Sequence, residues 1–223
     1  MCTVTFVQHN NQYILTSNRD ETTERGRAIS PKEYNGNFKK LVYPKDPKAN
    51  GTWIIHDYSN CAVLLNGAEE KHIHRNNYRK SRGLILLDIF DSKNPLHQWK
   101  EINLDNIEPF TIVIFIEKKL YQLQWNEIDK STKEISISKN HIWSSSTLYS
   151  KEIRKNREKL FKKHINKSMI SSEEILKFHQ FKDTKNTNNT IVIKRNEHLK
   201  TVSITQFSIE NNHIITNYID LYE

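Results

Sequence analysis

Short runs of β-branched and aromatic residues, separated by polar turns, recur along the chain. The first two runs, Thr3 to Val7 and Tyr13 to Thr16, flank the polar stretch from His9 to Gln12. Two such runs joined by a short polar segment predict a β-hairpin. The same pattern predicts a second hairpin from the runs 52–56 and 61–65.

Helical periodicity appears in three places. Apolar residues spaced about 3.6 positions apart predict helices over 78–90, 149–165 and 172–181. The stretch from Glu21 to Ala49 is rich in proline and glycine breakers and predicts a loop. Further strands are predicted, in chain order, at 111–116, 120–125, 133–138, 141–145, 190–194, 200–208 and 213–218.

The order of these elements predicts an α+β fold. Strands come first, then a helix, more strands, two helices and a final set of strands, without the alternation that builds parallel sheets. About ten strands are more than one open sheet usually holds, so two mainly antiparallel sheets with helices outside are expected. A length of 223 residues suits a single domain, 1–223.

The net charge of the chain limits the kinds of molecule that it is expected to bind. The formal net charge is +8 and the isoelectric point is about 9.3, which favours either a solvated basic surface or an anionic small-molecule ligand. The lysines are dispersed and no nucleic-acid-binding module is recognisable, so a nucleic-acid partner is not expected.

Cysteine content and hydropathy suggest the compartment. Two cysteines, Cys2 and Cys61, form neither a disulfide framework nor a Cys-x-x-Cys metal motif, so no metal or cofactor is predicted. No apolar run is long enough to span a bilayer, and the first residues lack the apolar core of a signal peptide. We therefore expect a cytoplasmic protein without integral membrane association.

Cys2 is the strongest candidate for chemistry because it directly follows Met1. Removal of Met1 would leave a residue that carries a thiol and a free α-amine, and an amine with a pKa near ~8 can act as the base for its own thiol. The first hairpin is expected to return Arg19 and Asp20 to the chain start, where a cation lowers a thiol pKa. The alternatives are an inert cysteine and an exposed ion pair at a strand end.

Three further groups have a functional and a structural interpretation. Asn66 precedes Gly67 at a predicted strand end, which fits either an oxyanion donor or a turn. His72 and His74 have the spacing of metal or haem ligands, or belong to a solvated loop. Three arginines around the start of the first predicted helix fit either an anionic ligand or a basic rim; they are Arg75, Arg79 and Arg82.

Taken in order, several motifs resemble those of the NRDE family, also called transport and Golgi organisation protein 2. They are Met1-Cys2, Ser17-Asn18-Arg19-Asp20-Glu21, Gly51-Thr52-Trp53, Asn66 and Tyr78-Arg79-Lys80-Ser81-Arg82-Gly83. Each motif is short, but the ordered set is specific, and it covers residues 1 to about 90.

The resemblance implies a fold and a chemistry. The family looks like an N-terminal nucleophile hydrolase, a four-layer αββα sandwich, and is similar to penicillin V acylases and bile-salt hydrolases. By that likeness Cys2 is the nucleophile and its amine the base. Arg19 and Asp20 would position both groups, and Asn66 would line the oxyanion hole.

The chain also departs from the family pattern. Trp143-Ser144-Ser145-Ser146 places Ser145 where the pattern has an asparagine, and loss of an oxyanion donor typically costs about 10²–10³ in rate. Arg25-Gly26 replaces an Arg-Pro pair. Arg195 is the candidate for a C-terminal arginine of the acylases.

Two functions therefore stay open at the level of sequence. The first is a cysteine amidohydrolase that acts on the C–N bond of a small amide. The second is a non-catalytic carrier of haem, acyl-CoA or a lipid on the same scaffold. For an anionic ligand, the candidate residues are Arg75, Arg79, Arg82 and Arg195.

Overall fold

The computed structural model describes residues 3–167, 170–183, 190–195, 198–211 and 213–222. Within them the predicted α+β fold with two mainly antiparallel sheets is confirmed, since one sheet has six strands, the other seven, and four α-helices accompany them. The chain forms two compact units, Met1–Arg25 with Ser138–Glu223, and Gly26–Ile137.

The strands are β1 (Thr3–His9), β2 (Gln12–Thr22), β3 (Ile29–Asn35), β4 (Lys40–Lys45), β5 (Ile54–His56), β6 (Cys61–Asn66), β7 (Phe110–Ile116), β8 (Lys119–Trp125), β9 (Lys130–Ile135), β10 (His141–Ser144), β11 (Lys194–Arg195), β12 (Leu199–Glu210) and β13 (His213–Asp220). The helices are α1 (Arg82–Phe90), α2 (Pro95–Glu101), α3 (Lys151–Lys167) and α4 (Ser172–His179).

The first unit contains the six-stranded sheet, ordered β10-β1-β2-β12-β11, with β13 paired to β12. Side chains of β1 and β2 alternate between the two faces of this sheet. On one face, Val7 and Ile14 pack with Phe161 of α3 and Phe178 of α4 in a buried apolar cluster. This cluster fixes both helices against the strands that carry the N-terminal motifs.

The second unit contains the seven-stranded sheet, ordered β3-β4-β5-β6-β7-β8-β9. Its interior strand β7 is buried along its whole length, as expected for the apolar run Phe-Thr-Ile-Val-Ile-Phe-Ile. Helix α1 buries Ile85, Leu86, Ile89 and Phe90. The side chain of Ser81 accepts a hydrogen bond from Leu84 N and caps the helix start, so the helix predicted from residue 78 begins at Arg82.

The loop predicted over 21–49 is wrong, because β2 extends to Thr22 and β3 and β4 form a hairpin. Pro31, one of the breakers in this stretch, fits within β3 because β3 is an edge strand whose register shifts between Ile29 and Lys32. A missing N–H costs little at a sheet edge or bulge. Helix α2 was not predicted; Asn94 caps it and Pro95 occupies its first turn.

No helix in the described part of the chain combines the length and the apolar character needed to cross a membrane.

A buried polar cluster joins α4 to β1 and β2. His179 is fully buried, and its Nε2 lies 2.8 Å from Thr5 Oγ1. Its Nδ1 contacts Asn18 Oδ1, while Asn18 Nδ2 donates to the His179 carbonyl at 3.0 Å. Because the Asn18 oxygen only accepts, Nδ1 donates to it, and in a neutral imidazole Nε2 then accepts from the Thr5 hydroxyl.

Burial, together with the positive charge of Arg157 and the proximity of His164, lowers the pKa of His179 from 6.5 to about 3. The folded state therefore keeps His179 neutral while the unfolded chain protonates it below about 6.5. The contribution of neutral His179 to the free energy of unfolding is fully present above about pH 6.5, and it is lost progressively as the pH drops towards 3.

We expect this histidine to cost about 2 kcal/mol of unfolding free energy between pH 7 and pH 5. Urea denaturation should show that the free energy of unfolding of His179→Gln falls less between pH 7 and pH 5 than that of the wild type, whatever the stability of the variant at pH 7. His213→Gln, at an exposed position of β13, serves as the control and should keep the wild-type slope. Equal slopes for all three proteins would contradict a buried neutral His179.

Candidate functional site

The start of β1 lies between two strands. Thr3, its first residue, is opposite Asn18 of β2 on one side and Ser144 of β10 on the other. Arg19 and Ser145 are the next residues beyond these two partners. Cys2, the predicted nucleophile, immediately precedes Thr3 and lies outside the described residues.

Arg19 and Asp20 lie inside β2 rather than at its end, and each is 2% exposed. Successive residues of a strand point to opposite faces, so their side chains diverge. Arg19 shares a face with Glu21, and the guanidinium Nη2 and carboxylate Oε2 are 3.9 Å apart. Asp20 shares a face with Asn18, which is the face covered by α3 and α4.

The Asp20 carboxylate accepts hydrogen bonds at both oxygens. Tyr149 Oη donates to Oδ2 at 2.7 Å, and Thr201 Oγ1 donates to Oδ1. Thr201 is opposite Asp20 in the β2–β12 register, and its hydroxyl also accepts from Ile193 N at 2.9 Å. Buried carboxylates need such donors, because a carboxylate loses its hydration on burial.

Tyr149 also contacts two arginines. The Cζ of Arg157 lies 3.7 Å from the ring centroid and that of Arg195 lies 5.2 Å away. Arg157 is 1% exposed and donates to Thr3 Oγ1 and, at 2.9 Å, to the Thr190 carbonyl. No described carboxylate forms an ion pair with Arg157, so this buried cation is held by neutral oxygens and an aromatic face.

Ser145, which stands where the family pattern has asparagine, is 1% exposed. Its hydroxyl lies 2.9 Å from Thr147 Oγ1, and its carbonyl accepts from Tyr149 N at 3.1 Å. The local turn from 145 to 149 thus leads from β10 to the tyrosine that binds Asp20. The role of Ser145 as an oxyanion donor stays a prediction.

Arg195 lies in the same unit as Asp20. It is exposed, and its Nη1 donates to the Leu148 carbonyl at 3.3 Å. The structure therefore brings four of the predicted residues into one unit, namely Arg19, Asp20, Ser145 and Arg195.

Asn66 belongs to the second unit, where it ends β6 opposite Phe110. The turn that follows needs a glycine, because Gly67 has a positive φ of 84°. Gly67 N donates to the Pro109 carbonyl at 2.9 Å, and Thr111 Oγ1 donates to the Gly67 carbonyl at 2.9 Å. These contacts explain the turn at Asn66, while its role as an oxyanion donor stays a prediction.

The two arginines before α1 and the arginine at its first position have acceptors inside the second unit. Arg75 contacts Glu127, and Arg79 donates to the carbonyls of Asp105, at 2.7 Å, and Asn103. Arg82 Nη2 lies 2.9 Å from Glu108 Oε2. Their assignment to an anionic ligand stays a prediction.

Glu108 also engages the two histidines of the His-x-His motif. His72 Nε2 and His74 Nδ1 each lie 3.0 Å from Glu108 Oε1. Although burial opposes ionisation, the charge of Arg82 and hydrogen bonds from both histidines hold the pKa of Glu108 below its usual value. Within the described residues, no three His, Cys, Asp or Glu side chains are grouped as metal ligands.

Cys61, the other cysteine, is fully buried in β6. Burial, with a smaller contribution from the Asp57 charge, raises the pKa of its thiol far above the usual value. Cys61 is thus protonated and inaccessible at neutral pH, which leaves Cys2 as the candidate nucleophile.

Sequence reasoning missed the partners of the motif residues, Tyr149, Arg157, His179 and Thr201. Each lies far along the chain from β1 and β2, and none belongs to a recognisable motif. The one available signal was Asn18, a polar residue inside a strand, which requires a hydrogen-bonding partner when buried.

We expect Tyr149→Phe to lower the free energy of unfolding by about 1–3 kcal/mol, because it removes a donor from the buried Asp20 carboxylate. Urea denaturation at pH 7 measures the change. Tyr121→Phe is the matched control, since the Tyr121 hydroxyl makes no hydrogen bond among the described residues, and it should change stability by less than about 0.5 kcal/mol. Equal effects of the two substitutions would refute the importance of this contact.

Comparison with known proteins identifies the family. The family model described as Transport and Golgi organisation 2 (TANGO2) matches residues 1–219, so the chain belongs to this family. No curated protein matches the chain.

Proposed function

We propose that this TANGO2-family protein is a cysteine amidohydrolase that cleaves the C–N bond of a small amide by acyl transfer through Cys2. The observation that carries the proposal is the pair Arg19 and Asp20. Both are buried in β2, and they directly follow Asn18, the residue of β2 that is paired with Thr3. Buried ionisable residues are costly for stability and concentrate at functional sites.

The proposed reaction has two halves. The Cys2 thiol transfers its proton to the α-amine exposed by removal of Met1, and the sulfur attacks the amide carbonyl. The C–N bond then breaks, and the departing amine takes up that proton. Water hydrolyses the resulting thioester, which releases the carboxylic acid and regenerates the thiol.

Arg19 and Asp20 have distinct roles in this proposal. The guanidinium of Arg19 favours the thiolate, because a nearby cation lowers a thiol pKa. Asp20 is a positioning residue, fixed by Tyr149 and Thr201 on the opposite face of β2. Oxyanion stabilisation by Asn66 and Ser145 rests on the family resemblance.

The carrier hypothesis for haem or acyl-CoA stays a prediction. Arg75, Arg79 and Arg82, which suggested it, are engaged by acceptors within their own unit. We therefore give the enzyme hypothesis precedence.

Intact mass and thiol labelling test the first requirement. We expect a mass without Met1 and one iodoacetamide adduct at neutral pH, on Cys2, because Cys61 is buried. Cys2→Ala should remove the adduct and Cys61→Ala should retain it. A protein that keeps Met1, or a Cys2 no more reactive than free cysteine, would sink the proposal.

Hydrolysis of a panel of small N-acyl amides tests the reaction itself. We expect Cys2→Ala to abolish turnover and Arg19→Gln to slow it at least about 100-fold, with a rise in the thiol pKa read from the pH dependence of alkylation. Cys61→Ala should retain activity. Turnover that survives Cys2→Ala would show that another residue is the nucleophile.

A further inference from the structure

A cleft of about 690 Å³ opens in the first unit beside Asp20 and its donor Thr201. Its walls come from residues 182–183, 190, 192–195, 200–201 and 220–222. Thr201 lines the cleft and also donates to Asp20, so the cleft adjoins this buried carboxylate. We call it the cationic cleft, after Lys182, Lys194, Arg195 and Lys200.

The charges of the cationic cleft are unbalanced. Four cations line it against two carboxylates, Asp183 and Asp220. Lys182, Lys194 and Arg195 form no ion pair with any carboxylate in the part of the chain that the structure describes. Among the described residues Arg195 contacts the Leu148 carbonyl and the Tyr149 ring, and these contacts leave further guanidinium N–H groups available.

The cleft also has an apolar wall. Val192, Ile193 and Leu221 line it together with the ring of Tyr222, and Lys200 Nζ lies 5.2 Å from that ring centroid. A site that combines an apolar wall with a few converging polar groups is typical of small-molecule binding. The ligand it suits has a charged end and an apolar or aromatic body.

We propose that the cationic cleft binds an organic phosphate monoester. A phosphate carries a charge near −2 at neutral pH and three acceptor oxygens, so it engages several cations from different segments at once. Arg195 offers a planar pair of donors that matches two phosphate oxygens, and the lysines act as point charges. The binding site stands independently of catalysis by Cys2.

Isothermal titration calorimetry with 1-naphthyl phosphate tests the proposal. We expect saturable binding that weakens with added salt, and weaker binding of 1-naphthoate, which carries one charge. 1-Naphthol should not bind. The double variant Lys194→Gln/Arg195→Gln should bind the phosphate at least about tenfold more weakly, which corresponds to about 1.4 kcal/mol.

The matched control is Lys155→Gln/Lys159→Gln, which removes the same net charge from exposed positions of α3. It should change affinity less than about twofold, because exposed charges farther than a Debye length are screened. Absence of saturable phosphate binding, equal weakening in both double variants, or equal binding of 1-naphthol would each overturn the proposal. Retention of binding by Cys2→Ala separates this result from the fate of the proposed hydrolase.

Discussion

The first unit depends on one buried carboxylate. Asp20 lies in the interior of β2, where transfer of a charge out of water costs several kcal/mol unless donors replace the lost hydration. Two hydroxyls, from Tyr149 and Thr201, supply that replacement. Tyr149 follows the turn after β10 and Thr201 lies near the start of β12, so hydrogen bonds to Asp20 tie both segments to β2.

Around Asp20 the layer between sheet and helices is polar as well as apolar. Arg157 and His179 are fully or almost fully buried, and both reach β1 through threonine hydroxyls, Thr3 and Thr5. The positive charge of Arg157 helps to keep His179 neutral. Because side chains alternate along a strand, Asn18 and Asp20 point into this layer and Arg19 points to the other face of the sheet. The same short motif therefore provides structural hydrogen bonds on one face and a buried cation on the other.

Each unit, taken by itself, has a different kind of basic residue. In the second unit Arg79, before α1, and Arg82, at its start, bind acceptors of their own unit, and they thereby shape the segment after Asn66. In the first unit four cations line a cleft, and three of them, Lys182, Lys194 and Arg195, form no ion pair with a carboxylate among the described residues. Net charge alone does not distinguish the two, because both count equally towards +8.

The sequence by itself determined the antiparallel α+β class, the first hairpin and the motif that carries Arg19 and Asp20, because periodicity and turn chemistry are local properties. It misjudged the β3–β4 hairpin, since the tolerance of Pro31 depends on β3 being an edge strand. Only the tertiary structure decided which residues complete the site. Tyr149 and Thr201 bind Asp20, and Arg157 binds Thr3, across more than a hundred residues of chain. The burial that makes Asp20 require its two donors exists only in the folded sheet.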